Sequence, residues 1–172
     1  QMVCVVRLLL ASVCGFAIGI ERTNRLKDAG MRTHLIVCMG AALMMLVSKY
    51  GFFDVSTIAG FFKADVSRVA SSVVAGIGFL GAGIIIVRRG SVHGLTTAAS
   101  LWTTSAVGVM FGIGMWDLGL IAGGATLLVL AILRFLDARL PHVGVVDVTL
   151  RWARGSAPGE AILRGLLADS GL

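Results

Sequence analysis

Five runs of about 20 residues, at 2–20, 32–49, 67–87, 95–114 and 117–136, carry almost no charge. Wound as an α-helix, a run of that length matches the hydrocarbon thickness of a bilayer, so each is a candidate membrane span. Only 14% of the 172 residues are charged and 57% are hydrophobic, whereas about a quarter of a soluble domain is charged. The lipid bilayer is therefore the first partner this chain requires. A net charge of +6 would point to nucleic acid in a water-soluble protein, but here the basic residues are sorted by loop, and no nucleic-acid partner is expected. The first run has no small-residue cleavage site and leads directly into Glu21-Arg22, which reads as a retained span and not a signal peptide. Between the second and third runs, KYGFFDVSTIAGFFKADVSR mixes Phe pairs with charges. It is too broken to span and apolar enough to lie in the interface.

Lys and Arg in short loops set the orientation. Arg22, Arg25, Lys27, Arg32, Arg88, Arg89, Arg134 and Arg139 fall on one side and outnumber Arg7, Lys49, Lys63 and Arg68 on the other. The expectation is a plasma membrane protein with its N-terminus outside and its C-terminus in the cytoplasm. The membrane domain covers 1–138, an all-α, five-span helical bundle. From Val143 the pattern alternates as VGVVDVTLRWA, a half-buried strand, and Ser156-Ala157-Pro158 opens a helix carrying Ile162, Leu163, Leu166 and Leu167. Residues 143–172 thus read as the start, βα, of a small cytoplasmic α+β domain.

The third run holds GIGFLGAG, with Gly76, Gly78, Gly81 and Gly83. This contains G-x-G-x-x-G, but a dinucleotide site needs a preceding strand, a soluble βαβ unit and a downstream acidic residue. The surroundings here are an apolar run. In lipid, helix association depends on close backbone approach, which glycines permit. These four are expected to pack helices and to make the third span the hub of the bundle, with a bend or a narrow path as the functional version. Gly15-x-x-x-Gly19, Gly108-x-x-x-Gly112 and Gly119-x-x-x-Gly123 offer matching surfaces. Gly15-Phe16 followed by Gly30-Met31-Arg32-Thr33 also resembles Gly78-Phe79 followed by Gly94-Leu95-Thr96-Thr97, a parallel internal repeat if the likeness is real.

Ionisable groups in a span are costly and draw attention as functional candidates. Glu21 and Arg22 end the first span beside Arg32 and Thr33 at the start of the second. Glu21 is expected to pair with Arg32 or Arg88 and tie two turns together, as a clamp or a gate. Arg7 lies near the outer surface, where it can snorkel. Asp65 and Arg68 form an i,i+3 pair at the start of the third span, with Asp65 suited to N-capping. The fourth span is rich in hydroxyls; Thr97, Ser100 and Thr104 follow helical spacing in line with His93, with Thr96 beside them. Such a stripe is either interhelical glue, bonding to its own carbonyls, or the lining of a wet cleft facing the glycines. His34, His93 and His142 are scattered, no Cys/His cluster has zinc spacing, and no embedded carboxylate pair offers magnesium its oxygen ligands. No catalytic residue, cofactor site or metal site is assigned, and an enzyme is not expected.

Glu21-Arg22, Ala29-Gly30-Met31-Arg32-Thr33-His34, Asp65-x-Ser67-Arg68-x-Ala70, GIGFLGAG, and Gly94-Leu95-Thr96-Thr97-Ala98-Ala99-x-Leu101-Trp102 together resemble the MgtC/SapB family of bacterial inner-membrane proteins over roughly residues 5–135. Ser72, His93 and Thr96 stand where many members carry Gln, Arg and, in the virulence branch, Asn, so the resemblance is to the SapB-like branch more than the virulence branch. It implies an ACT-like cytoplasmic domain after the spans, and a link to growth in low magnesium. It also implies action through other membrane proteins, with the proton-translocating ATP synthase as one partner. The expected function is accordingly a non-enzymatic modulator of magnesium and proton-motive homeostasis that self-associates into a homo-oligomer. The alternative is a transporter or channel for a cation, magnesium included, or a small solute.

Overall fold

A computed structural model of the chain describes residues 2–25, 27–51, 65, 67–88, 91–137, 139 and 164–165. The chain divides into two compact units, Gln1–Arg139 and Leu140–Leu172. In the first unit the described elements are helices α1 (Met2–Thr23), α2 (Met31–Tyr50) and α3 (Ser67–Ile84), strands β1 (Ile86–Arg88) and β2 (Ser91–His93), then α4 (Leu95–Ile113) and α5 (Trp116–Asp137). In the second unit only Arg164 and Gly165 are described, and both are helical. The strand read over VGVVDVTLRWA, most of the helix after Pro158 and the interfacial segment at 52–64 lie outside the described residues.

Four helices, α1, α2, α3 and Trp116–Leu136 of α5, are long and apolar enough to cross a membrane. The fifth expected span, α4, falls short of that test because Thr and Ser occupy six of its positions between Thr96 and Ser105. Its 19 residues still reach about 28 Å at 1.5 Å per residue. It is also the central helix: it touches α1, α2, α3 and α5, and more of its residues are buried than of any other helix. Hydroxyls are tolerated in an apolar bundle where carbonyls of their own helix accept from them. The hub of the bundle is therefore α4 and not the glycine-dense third helix, whose single buried residue is Gly81.

Glycine contacts set the spacing of the core. A Cβ at Gly15 would stand 2.6 Å from the His34 carbonyl oxygen and at Gly19 2.5 Å from the Met31 Cα, so α1 lies directly on the backbone of α2. On its other side α2 meets α4, where a Cβ at Gly112 would stand 2.6 Å from the Ala42 carbonyl oxygen and one at Gly108 would collide with the carbonyl of Cys38. Helix α2 is thus held between two G-x-x-x-G faces. Ala11, Cys38, Ala42, Val107 and Phe111 fill the remaining core.

The third helix stops at Ile84, short of the expected Val87. The chain then makes an antiparallel hairpin pairing Ile86 with His93, Val87 with Val92 and Arg88 with Ser91. Gly94, at φ +86°, turns the backbone into α4, and Gly114, at φ +104°, ends it with its N–H on the carbonyls of Met110 and Phe111. Both turns need the left-handed region that glycine enters without cost from a Cβ.

Candidate functional site

Polar groups gather at three places in the bundle. The first is the end where α1 stops. Glu21 pairs with its neighbour, Arg22 Nε donating to Oε2 at 2.6 Å, and Arg25 Nε stands 4.0 Å from Oε1. The expected pairing with Arg32 is thereby corrected, while the side chain of Arg88, the alternative partner, lies outside the described residues. Arg32 and Thr33 are exposed; among the described residues the tie between α1 and α2 is instead made by Thr23, whose hydroxyl accepts from the Met31 N–H at 2.9 Å. That bond satisfies one of the donors left open at a helix N-terminus. Arg22 is 5% exposed, and its Nη1 and Glu21 Oε1 are buried without a hydrogen-bond partner.

The second place lies deeper, between α2 and α4. His34 is fully buried, with Nδ1 2.9 Å from the Gly30 carbonyl and Nε2 3.1 Å from Ser100 Oγ. A carbonyl only accepts, so Nδ1 carries a proton towards Gly30. The Ser100 hydroxyl lies 2.9 Å from the Thr97 carbonyl as well, and it has one proton to give. If it donates to His34, the bond to Thr97 lapses; if it keeps Thr97, Nε2 must donate and the ring is an imidazolium. One hydroxyl rotation therefore follows the charge of a buried histidine. Thr104 donates to the Ser100 carbonyl at 2.7 Å, while the buried Ser105 hydroxyl has no partner.

The hydroxyl stripe of α4 is divided by this arrangement. Thr97, Ser100 and Thr104 are buried, and Ser100 meets His34 of α2, not the glycines of α3. Thr96 is exposed and lines a cleft with α5 that Ser100 also borders. His93 sits exposed on β2, before the helix begins, and does not continue the buried row. Of the four glycines in α3, Gly81 packs on α4, where an added Cβ would rest 3.4 Å from the Ala98 Cβ. Gly76, Gly78 and Gly83 have nothing among the described residues within 4 Å of that position. Gly76 lines a cleft between α2 and α3.

The third place is the opposite end. Arg7 Nη1 donates to Tyr50 Oη at 3.1 Å and to the Gly112 carbonyl at 3.2 Å, and Lys49 Nζ donates to the Ile113 carbonyl at 2.8 Å. Two cations thus close the last turn of α4, where carbonyls are left over and the helix dipole is negative. Arg7 is a cap, not a snorkelling residue. At the start of α3, Asp65 Oδ1 accepts from the Ser67 hydroxyl at 2.6 Å and the Ser67 N–H at 2.9 Å. These bonds hold its carboxyl below the usual carboxylate range, the hydroxyl contributing most and Arg68 adding a weaker Coulombic pull. Asp65 and Arg68 are not within ion-pair distance, so the capping half of that expectation is what the helix uses.

His34 and Thr23 were the residues that spacing arguments passed over. The signal for His34 was present as a lone imidazole inside an apolar helix, four residues after Gly30. Among the described residues, no group of three or more His, Cys, Asp or Glu is placed to hold a metal ion.

The profile of the MgtC family matches residues 8–139. The chain belongs to the MgtC family. It is 49% identical over 136 residues to the Escherichia coli K12 protein named "Putative magnesium transporter YhiD", a match covering 79% of this chain and 63% of YhiD. Protein SrpB of Synechococcus elongatus is 45% identical over 133 residues, covering 73% of this chain and 71% of SrpB. Protein MgtC of Brucella abortus (strain 2308) is 41% identical over 124 residues, covering 72% of this chain and 48% of that MgtC. The chain therefore spans under two thirds of the length of YhiD. No solved structure matches it. Family membership and the apolar helices together make it a membrane protein, and the matched region covers α1 from Leu8 onward and all of α2 to α5.

Proposed function

We propose that this chain is a non-enzymatic membrane protein that modulates magnesium and proton-motive homeostasis by docking onto other membrane proteins. The observation that carries the reading is the contrast inside α3. This helix has one buried residue, yet its Gly76, Gly78 and Gly83 leave the backbone open to approach. In lipid, bare glycines are where another helix comes close, and at 3.6 residues per turn Gly76 and Gly83 share one side of α3 while Gly78 lies on the other. Magnesium enters through the name of YhiD, and the modulatory role through the family resemblance. The ATP synthase is the first partner to try, a second copy of the chain the next. The distribution of Lys and Arg supports an inner membrane orientation with the N-terminus outside and the C-terminus cytoplasmic.

A cation pathway is the competing reading, and the core argues against it. The backbones of α1, α2 and α4 meet at glycine contacts too close for a methyl group, and the α4 hydroxyls bond to carbonyls of their own helix. Gly78→Leu and Gly83→Leu are expected to abolish co-purification with a membrane partner from native membranes while the purified chain stays monodisperse. Liposomes containing the wild-type chain are expected to show no magnesium or proton flux. A flux that His34→Gln alters would overturn the docking reading in favour of transport.

A further inference from the structure

At the Glu21 end, a cleft of about 300 Å³ opens between α1 and α5, where among the described residues Arg22, Arg25, Lys27 and Arg134 stand with one carboxylate, that of Glu21. The described lining thus carries four cations and one carboxylate, an excess of positive charge. Glu21 is already committed to Arg22 Nε. What remains is Arg22 Nη1, buried and without a hydrogen-bond partner, in a residue 5% exposed. A guanidinium left in that state calls for an oxygen acceptor, and the acceptor geometry it suits best is a phosphate or carboxylate. Glu21 Oε1, also without a hydrogen-bond partner, sets a limit on where the anion sits: nearer Arg22, Lys27 and Arg134 than the carboxylate.

The cleft does not end there. Thr96, Leu130 and Leu133 line it and also line a second cleft, of about 380 Å³, that runs between α4 and α5 past Ala99, Thr103, Ala125 and Val129. Its lining is mostly apolar, with the hydroxyl residues Thr96, Ser100, Thr103 and Thr126 among it. The Thr103 hydroxyl donates to the Ala99 carbonyl at 2.9 Å and the Thr126 hydroxyl to the Ala122 carbonyl at 2.7 Å. Both threonines therefore have their hydrogen-bonding capacity turned onto their own helices, and present methyl groups. A cationic mouth joined to an apolar trough has the two-part chemistry of one ligand class. We infer that this site holds an anionic phospholipid, its phosphate on Arg22, Arg25, Lys27 and Arg134 and one acyl chain along the α4–α5 trough. Basic pockets between helices at a membrane surface bind such headgroups in general. The groove at the opposite end, lined by Met2, Val3, Val6, Leu10 and Trp116, has Arg7 as its one cation, and Arg7 is already engaged by Tyr50 and Gly112. Preference for an anionic headgroup is expected at the Glu21 end alone. The inference rests on the chain being a membrane protein, and is independent of the docking role.

Native mass spectrometry of the purified full chain, exchanged against phosphatidylglycerol, phosphatidylcholine or soluble glycerol 3-phosphate, tests it. Phosphatidylglycerol is expected to be retained over phosphatidylcholine, with the preference falling about fivefold for each cation removed in Arg25→Gln and Arg134→Gln. These two arginines are reached from the surface, so the test does not depend on the buried Arg22. Ala125→Phe, which fills the trough from its exposed side, is expected to lower retention of phosphatidylglycerol while the cations are untouched. Equal retention of the two lipids overturns the inference. So does displacement by glycerol 3-phosphate that is as effective as by lipid and indifferent to Ala125→Phe, since that outcome describes a site for a free phosphate ester.

Discussion

The two glycine-rich parts of this bundle behave in opposite ways. Gly15 and Gly19 of α1, with Gly108 and Gly112 of α4, are filled: each faces backbone of α2 at a distance no methyl group fits. Helix α3 is denser in glycine, yet an added Cβ at Gly76, Gly78 or Gly83 would meet nothing within 4 Å among the described residues. The same residue thus does different work according to what lies across from it. Where two helices are in register, glycine lets carbonyls of one approach the other and gains dispersion contacts that lipid tails would otherwise make. Where no neighbour is in contact, glycine costs the helix up to about 1 kcal/mol per residue relative to alanine. A chain that carries that cost three times on one helix has a surface suited to a further helix.

The closed side is sharpened most by Ser100→Ala. Removing the hydroxyl leaves the buried Nε2 of His34 without its partner, and an unsatisfied buried group is expected to lower stability by about 2 kcal/mol. Thermal unfolding in detergent measures this, and no change would mean that the seam between α2 and α4 is held by packing alone. The open side is tested more gently at its cap. Because the folded-state value for Asp65 is lowered, its cap contributes fully above the unfolded carboxylate range and is lost as pH falls through the folded value. Asp65→Asn is expected to leave neutral-pH stability nearly unchanged and to remove the acid-side fraying of α3, followed by amide hydrogen exchange at residues 67–70. Acid-side fraying that persists in the variant would assign it to another group.

Much of this was legible before any coordinates. Runs of about 20 apolar residues located all five helices of the bundle, because length and hydropathy are local properties. The end of α3 was misread for a local reason as well: Ile84-Ile85-Ile86-Val87 continues the apolar run, but β-branched residues favour a strand once the helix has a place to stop. What pattern could not convey was register between helices. Gly108 and Gly78 look alike in sequence, and only the carbonyl of Cys38 against one of them separates the two. The hydroxyls of α4 posed the same problem. Spacing placed Thr97, Ser100 and Thr104 on one face, but which helix that face meets depends on the packing of α2, and the buried imidazole waiting there was in view only as an isolated histidine.

The central claim is that α2 is clamped between α1 and α4 while α3 packs Gly81 alone and keeps Gly76, Gly78 and Gly83 out of contact with the described residues. Its most direct test is a matched pair of variants, Gly108→Ala with Gly112→Ala against Gly78→Ala with Gly83→Ala, compared by thermal unfolding of the purified chain. Both pairs add the same two methyl groups and the same gain in helix propensity, so any difference comes from what those methyls meet. The account predicts a large loss of stability in the α4 pair, on the order of 3 kcal/mol from overpacking, and an unchanged or slightly raised midpoint in the α3 pair. Equal losses in the two pairs, or a loss confined to α3, would contradict it.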